Sequence, residues 1–420
     1  MKKQLQFLVK LSLVVAGILF FTGCFKDSCL KTYTIYRPVY KSLSEVRANM
    51  KGFTPEIIRQ TGKLFTEGNY IFLSEPEKGI HVIDNSNPSN PKNISFIAVP
   101  GNEDLAVRGN YLYADSYSDM VVFDISNPSQ IFAKKFLNNV FTDRNTYYYG
   151  GSTNPDSIRV LVDYIAKDTT TSCEIYSSWY GCSSCPVTLG FALAPVASKN
   201  NGNGTGGSMA RFALLNNFLY AAGYNTLASF DVTEASSPSI KNTINLSSSI
   251  ETIYPFHDKL FLGSTSGMFV YDVSSPSSPA LAGSLSHVRS CDPIITDGDY
   301  AYVTLRDGTR CGGYTNQLDI LNVTNINSPV LVSSYKMTNP HGLAKDGNWL
   351  FICDGKDGLR IYDNSLPTNI TEIKQIKGME TYDVIAGGGN VLVVATDGLY
   401  QFNYSDIKNI QQVSKLPVGK

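Results

Sequence analysis

Charge is in short supply along this chain. Charged residues make up 17% of its 420, against roughly 25% in a typical soluble domain. The 35 lysines and arginines nearly cancel the 36 aspartates and glutamates, leaving a net charge of −1. They are scattered, with no basic stripe, so no nucleic-acid partner is expected. Histidine occurs only at His81, His257, His287 and His341. GxSxG, HExxH, Walker and GxGxxG motifs are missing from any context in which they would act. No cofactor is therefore expected, no catalytic residue stands out, and no metal set is recognisable. Tyrosine (25), serine, threonine and asparagine take the place of charge, which suits a β-rich extracellular protein.

What the chain does have is a repeated phrase. An apolar triplet ends in Asp or Asn, and a small polar, often Pro-containing loop follows. The copies are HVIDNSNPSNP (His81 to Pro91), VVFDISNPSQ (Val121 to Gln130), ASFDVTEASSP (Ala228 to Pro238), FVYDVSSPSSP (Phe269 to Pro279), DILNVTNINSP (Asp319 to Pro329), RIYDNSLPTN (Arg360 to Asn369) and YQFNYSDIKN (Tyr400 to Asn409). The marker residues Asp84, Asp124, Asp231, Asp272, Asn322, Asp363 and Asn403 are separated by 40, 107, 41, 50, 41 and 40 residues. A period of about 40 residues built from strands marks a propeller or a similar array.

Each unit reads strand by strand. A turn rich in Gly, Asn or Asp precedes an aromatic or branched run, as in GNYIF (Gly68 to Phe72) and DGNWLFI (Asp346 to Ile352). Such residues tolerate the positive φ of a two-residue hairpin turn. A second turn follows, often with Gly: Gly79, Gly267, Gly358, Gly398. Then come the marker strand, its loop and a fourth strand such as NISFIAV (Asn93 to Val99). Four antiparallel strands per unit make a propeller blade. The fold expected is all-β: a seven-bladed β-propeller over residues 57–420, with eight blades as the alternative.

The marker strands IHVID, MVVFD, MFVYD and LRIYD resemble the LVIVD repeat family of bacterial surface proteins. The likeness spans roughly Ile57 to Val418, apart from one insertion. It implies a propeller at the bacterial or archaeal cell surface and no particular reaction. The third, fifth and seventh copies, at ASFD, DILN and YQFN, depart from the pattern. The marker Asp is read as a cap that accepts backbone N–H bonds in the turn after the strand. A ring of metal-binding carboxylates is the sharper alternative, and Asn322 and Asn403 weigh against it.

The N-terminus points to a compartment. Lys2 and Lys3 lead an apolar core, Phe7 to Phe21, and Thr22-Gly23 stand before Cys24. This resembles a bacterial lipoprotein signal, with residues 1–23 removed and Cys24 acylated with palmitate-type chains. The lipid would anchor the protein to the bacterial outer membrane without spanning it, facing the periplasm or the outside. Residues 24–56 are read as a tether that packs on the propeller and supplies a strand to help close the ring.

One irregularity remains, an insertion over residues 137–208. It holds IRVLVDYI (Ile158 to Ile165), a cysteine cluster, Trp179-Tyr180 and a Gly/Asn-rich stretch. A long insertion in a compact fold is usually functional or mobile. It reads as a recognition surface, as a hairpin excursion covering one face, or as a degenerate eighth blade. Cys291 and Cys311 bracket a predicted hairpin and are expected to form a disulfide. Cys173, Cys182 and Cys185 are read as disulfide staples of the insertion rather than half a zinc site. Cys353 falls in a strand and is read as a buried free thiol.

Loops entering the inner strands gather at one mouth of a propeller. His287, Arg289, Asp292, His341, Glu103, Asp104, Glu380 and Asp383 sit on such loops and are the candidate ligand site, by analogy with other propellers. The function expected is a lipid-anchored surface protein for binding or scaffolding. It would recognise a protein or glycan through the mouth loops and the insertion. The alternative is a hydrolase or lyase with a polar or metal site at the mouth.

Overall fold

The computed structural model describes residues 30–142, 148–149, 154, 156–172, 205–208, 210–286, 293–307 and 315–419. The described residues divide into two units, one holding 30–39 and 163–172 and the other holding the rest.

In the larger unit the hairpin logic of the sequence is realised. The first sheet runs Leu64–Glu67, Tyr70–Glu75, Gly79–Asp84 and Lys92–Ala98, in that order and antiparallel throughout. The same four-strand run recurs from Leu105, Phe212, Ile250, Ile294, Leu343 and Thr381. The first turn of each run has a residue at positive φ: Gly68, Gly109, Asn216, His257, Gly298, Gly347 and Gly388. Second strands such as Leu219, Tyr220 and Ala221 are wholly buried, because a blade packs a neighbour on both faces. Fourth strands such as Ser239–Asn245 alternate toward solvent. This is the β-propeller arrangement. Each fully buried Leu, Ile or Val contributes about 1.5–3 kcal/mol.

The inner strand of each run packs on the next. Leu64–Glu67 meets Leu105–Arg108, and the series continues through Phe212–Leu215, Ile250–Phe256, Ile294–Thr296 and Leu343–Asp346 to Thr381–Gly387. That last strand meets Leu64–Glu67 again. An apolar cluster joins the two ends: Leu64, Leu73 and Ile83 pack with Leu392, Val394 and Leu399.

Two features differ from expectation. The segment before the first sheet does supply a strand, Lys51–Gly52, but it lies between the outer strands Lys92–Ala98 and Ile131–Leu137 of the first two sheets. The ends of the array meet instead through side chains and through the Gly419 N–H, which donates to the Ile58 carbonyl (2.7 Å). Ahead of Lys51, a helix over Leu43–Ala48 is capped by the Ser42 hydroxyl and buries Leu43 and Val46. It is far too short to cross a membrane, and no helix among the described residues is long and apolar enough to do so. The other difference is at IRVLVDYI. Its strand, Arg159–Ser172, belongs to a three-stranded sheet with Leu30–Ser42 and Tyr148–Tyr149, not to a four-stranded run.

The described part of the smaller unit consists of stretches of those two long strands. Thr34 Oγ1 donates to Asp168 Oδ1 (2.7 Å), and Tyr36, Tyr164 and Ile165 are exposed.

Candidate functional site

The repeated markers are caps. In all seven, Oδ1 accepts the backbone N–H two residues on: Ser86, Ser126, Thr233, Ser274, Thr324, Ser365 and Ser405. The hydroxyl and N–H of Ser274 hold the Asp272 carboxyl at about 2. These side chains face outer turns one blade apart, so the carboxylate-ring alternative has no geometry. No metal-binding group of three or more His, Cys, Asp or Glu occurs among the described residues.

Chemistry gathers instead at the inner strands. Register aligns Lys63, Asp104, Arg211, Thr252, Pro293, Gly342 and Asp383, each one residue before the inner-strand position that pairs with the fourth residue of the second strand. Lys63 Nζ donates to Asp104 Oδ2 (2.8 Å), with both side chains nearly dry. Asp104 also accepts from the Arg211 backbone N–H and from the Leu105 N–H (2.7 Å). Arg211 turns its guanidinium to Glu103 Oε2 (2.8 Å), and Tyr224 donates to Glu103 Oε1 (3.3 Å). Asp383 is fully buried and neither carboxylate oxygen has a hydrogen-bond partner. Burial pushes its carboxyl well up; the Val384 N–H and Lys63 pull the other way, and Asp104 adds to the rise. A Cβ at Gly342 would lie 2.5 Å from Asp383 Oδ1, so glycine makes room for the acid.

Beside this ring opens a cavity of about 260 Å³, lined by Arg59, Gln60, Thr61, Arg306, His341, Tyr382 and Thr396. Its walls come from the segment before the first sheet and from sheets five, six and seven. His341 is fixed on several sides. Its N–H donates to the Cys353 carbonyl (2.7 Å), its carbonyl accepts from Thr304 Oγ1 (2.7 Å), and its ring stands edge-on to Tyr382 at 4.9 Å. The Arg306 guanidinium donates to the imidazole. Burial first, and then the Arg306 charge, push the His341 pKa well below the usual value. A neutral imidazole that accepts from arginine is a poor general base. Thr61 directs its hydroxyl to the Ala395 carbonyl (2.8 Å), so it is no nucleophile in this arrangement.

Of the candidate mouth residues, Asp104 is paired with Lys63, Asp383 lies near enough to feel both charges, and Glu103 faces Arg211. His341 lines the cavity. Burial first, and then the Glu380 charge, raise the Tyr382 pKa. Glu380 is not the counterpart of Glu103, because a bulge between Thr381 and Asp383 shifts the register there. His287, Arg289 and Asp292 lie outside the described residues, as do Cys24, Cys173, Cys182, Cys185, Cys291 and Cys311. Cys353 is buried and free, and burial pushes its thiol up. His81 is a core residue: fully buried, bonded to Glu75 Oε2 (3.1 Å) and packed on Phe96.

The LVIVD repeat matches residues 58–96, 101–136, 261–286 and 341–377. This is an LVIVD-repeat protein. The matched segments are the first, second, fourth and sixth runs, and the copies whose marker strands depart in sequence are the unmatched ones. No curated protein matches the chain. Among solved structures, a Lactobacillus plantarum protein is 15% identical, with TM-score 0.53, covering 86% of this chain and 98% of its own. The periplasmic gluconolactonase of Pseudomonas aeruginosa is 13% identical, with TM-score 0.53, covering 87% and 97%. The computationally designed Ika8 protein is 9% identical, with TM-score 0.50, covering 87% and 90%. At such identities the likeness is one of fold.

Within the LVIVD array, the cavity forms where regular repeats meet divergent ones. Arg59, Gln60, Thr61 and His341 fall in matched segments, whereas Arg306, Tyr382 and Thr396 fall outside them. Lys63, Arg211 and Arg306 had a signal in the sequence, namely their alignment with Asp104, Asp383 and the ends of the second strands. Comparing only the acids and histidines of the loops passes them over.

Proposed function

We propose that this protein is a seven-bladed propeller serving as a binding and scaffolding module, anchored by lipid on Cys24 at the bacterial outer membrane. The cyclic packing of seven inner strands supports the blade count. The mouth cavity is its small-ligand pocket, and the 137–208 insertion with its neighbouring strand is its partner surface for a protein or glycan. The observation that carries the reading is the cavity itself. It is concave and lined by Arg, Gln, Thr, His and Tyr side chains from several blades, and its one histidine is held neutral by burial and by an arginine, with no nucleophile or acid paired to it among the described residues. Exposed Tyr36, Tyr164 and Ile165 support the second half, because exposed aromatics are enriched at binding hot spots. The anchor rests on the Lys-apolar-Thr-Gly-Cys order of the N-terminus. Cys24→Ala should abolish palmitate labelling and release the protein from the membrane fraction.

The test is an array of surface glycans and proteins, probed with the parent and two variants. One variant has residues 173–204 replaced by a short Gly-Ser linker. The other carries Arg306→Ala with His341→Ala. The deletion is expected to stay folded and lose macromolecular capture, while the double substitution has the smaller effect. Should the double substitution erase a measurable turnover that the deletion leaves intact, the protein is a hydrolase or lyase and the binding reading fails.

A further inference from the structure

We propose that a cleft between the sixth and seventh sheets is a second binding site, taking a neutral pyranose ring of a glycan. The cleft has a volume of about 450 Å³ and is lined by the turn over residues 346–349, by Gly389, and by Tyr404 and Ser405. That volume lies within the roughly 300–1,000 Å³ of small-molecule sites. His341 stands just before the inner strand Leu343–Asp346 and the cleft's turn just after it, so the cleft is at the opposite end of the blade from the mouth cavity. It stands independently of that cavity.

A departure from the repeat opens the cleft. In every sheet the second residue of the first turn offers its carbonyl to the N–H that follows the marker. The pairs are Asn69 with Asn85, Asn110 with Ile125, Asn217 with Val232, Asp258 with Val273, Asp299 with Val323, Asn348 with Asn364 and Gly389 with Tyr404. Six of these turns carry an Asn or Asp side chain, and the seventh has glycine. The seventh is also the one with an aromatic residue after its marker. A Cβ at Gly389 would lie 2.6 Å from Ser405 Oγ, so the missing side chain is one that would stand inside the cleft.

The groups left around that space suit a sugar. The Tyr404 phenol donates to Asp346 Oδ2 (2.6 Å) and orients the carboxylate, which leaves Oδ1 to accept from a ligand hydroxyl. The neighbouring Lys345 is engaged by Asp297 Oδ2 (3.1 Å) and by the Gly347 carbonyl (2.8 Å). Asn348 and Ser405 are exposed, and each side chain both donates and accepts, as sugar hydroxyls do. Trp349 is half-buried, packed against the core and lining the cleft. An indole offers a broad apolar surface. An all-equatorial β-glucopyranose has flat C–H faces with its hydroxyls at the rim, where a carboxylate, an amide and a hydroxyl can meet them. Hydrogen bonds to the ionised carboxylate are the strong ones in such a set.

The experiment uses the chain's two tryptophans, Trp179 and Trp349. In the full chain carrying Trp179→Phe, Trp349 is the sole indole reporter. Its emission is followed during titration with cellobiose, lactose or tetramethylammonium chloride. A saturable change with a disaccharide is expected. Asp346→Asn should weaken that binding about tenfold. Gly389→Asn restores the side chain of the sister turns, in a residue that tolerates positive φ, and should weaken it about tenfold or more. Melting temperatures of both variants separate lost binding from lost fold. Tetramethylammonium binding tighter than either disaccharide makes the cleft a cation site and overturns the sugar class. Disaccharide binding that neither substitution alters overturns the site. Emission unmoved by all three probes overturns both, and the reading of the mouth cavity is untouched by any of these results.

Discussion

Asn322 shows how local chemistry makes a repeat legible. Its Oδ1 accepts the Thr324 N–H (3.1 Å) and the Thr324 hydroxyl (2.6 Å), the contacts an Asp makes in sister copies. The cap spans two residues, so it can be read from the residues alone. Asn322→Ala should cost about 1 kcal/mol in urea denaturation, and Asn322→Asp should restore most of it. A loss common to both would contradict capping. Asp383 is the opposite case. Its burial and its proximity to Lys63 and Asp104 come from blades far apart in sequence, and no local pattern announces them. Its folded pKa lies above the ordinary 3.8. The stability it contributes is therefore fully present below about pH 4 and lost as pH rises through the folded value. Asp383→Asn stays neutral throughout. Its melting temperature relative to the parent should rise as the pH is taken from 4 to 8, and a constant difference would contradict the account.

At the scale of elements, turn glycines were visible and bulges were not. Gly358 has φ 80°, and a Cβ there would lie 2.0 Å from the Ile376 carbonyl oxygen of the neighbouring strand. Gly358→Ala should cost about 2 kcal/mol, from strained backbone and a forced shift of the outer strand. A melt unchanged from the parent would refute that close approach. Every sheet also carries a register shift between its third and fourth strands, as between Val82 and Ile83 and between Gln401 and Phe402. A bulge adds local twist, which suits an outer strand splaying toward solvent. Its sequence signal is one extra residue in a strand of ordinary composition, so alternation alone does not reveal it. The tether was legible as a source of a strand, but not which sheets that strand joins, because two residues carry no register information.

For the whole molecule, the period of about 40 residues made the propeller legible. Closure was not legible, because it depends on residues at opposite ends of the chain. The mouth cavity was half legible: His341 stood out by its rarity, whereas Arg306 sits at the end of an ordinary strand. Closure is the central claim, since it brings Asp383 of the last sheet near Lys63 and sets Tyr382 and Thr396 beside Arg59, Gln60 and Thr61 in the cavity wall. Gln401 Nε2 donates to Asn85 Oδ1 across that seam (2.7 Å), between residues 316 apart in sequence. The decisive measurement is a double-mutant cycle with Asn85→Ala and Gln401→Ala, read by chemical denaturation. A closed ring predicts a coupling energy of about 0.5–1.5 kcal/mol between them. Two substitutions whose effects simply add, within about 0.3 kcal/mol, would show that the ends of the array do not meet as described.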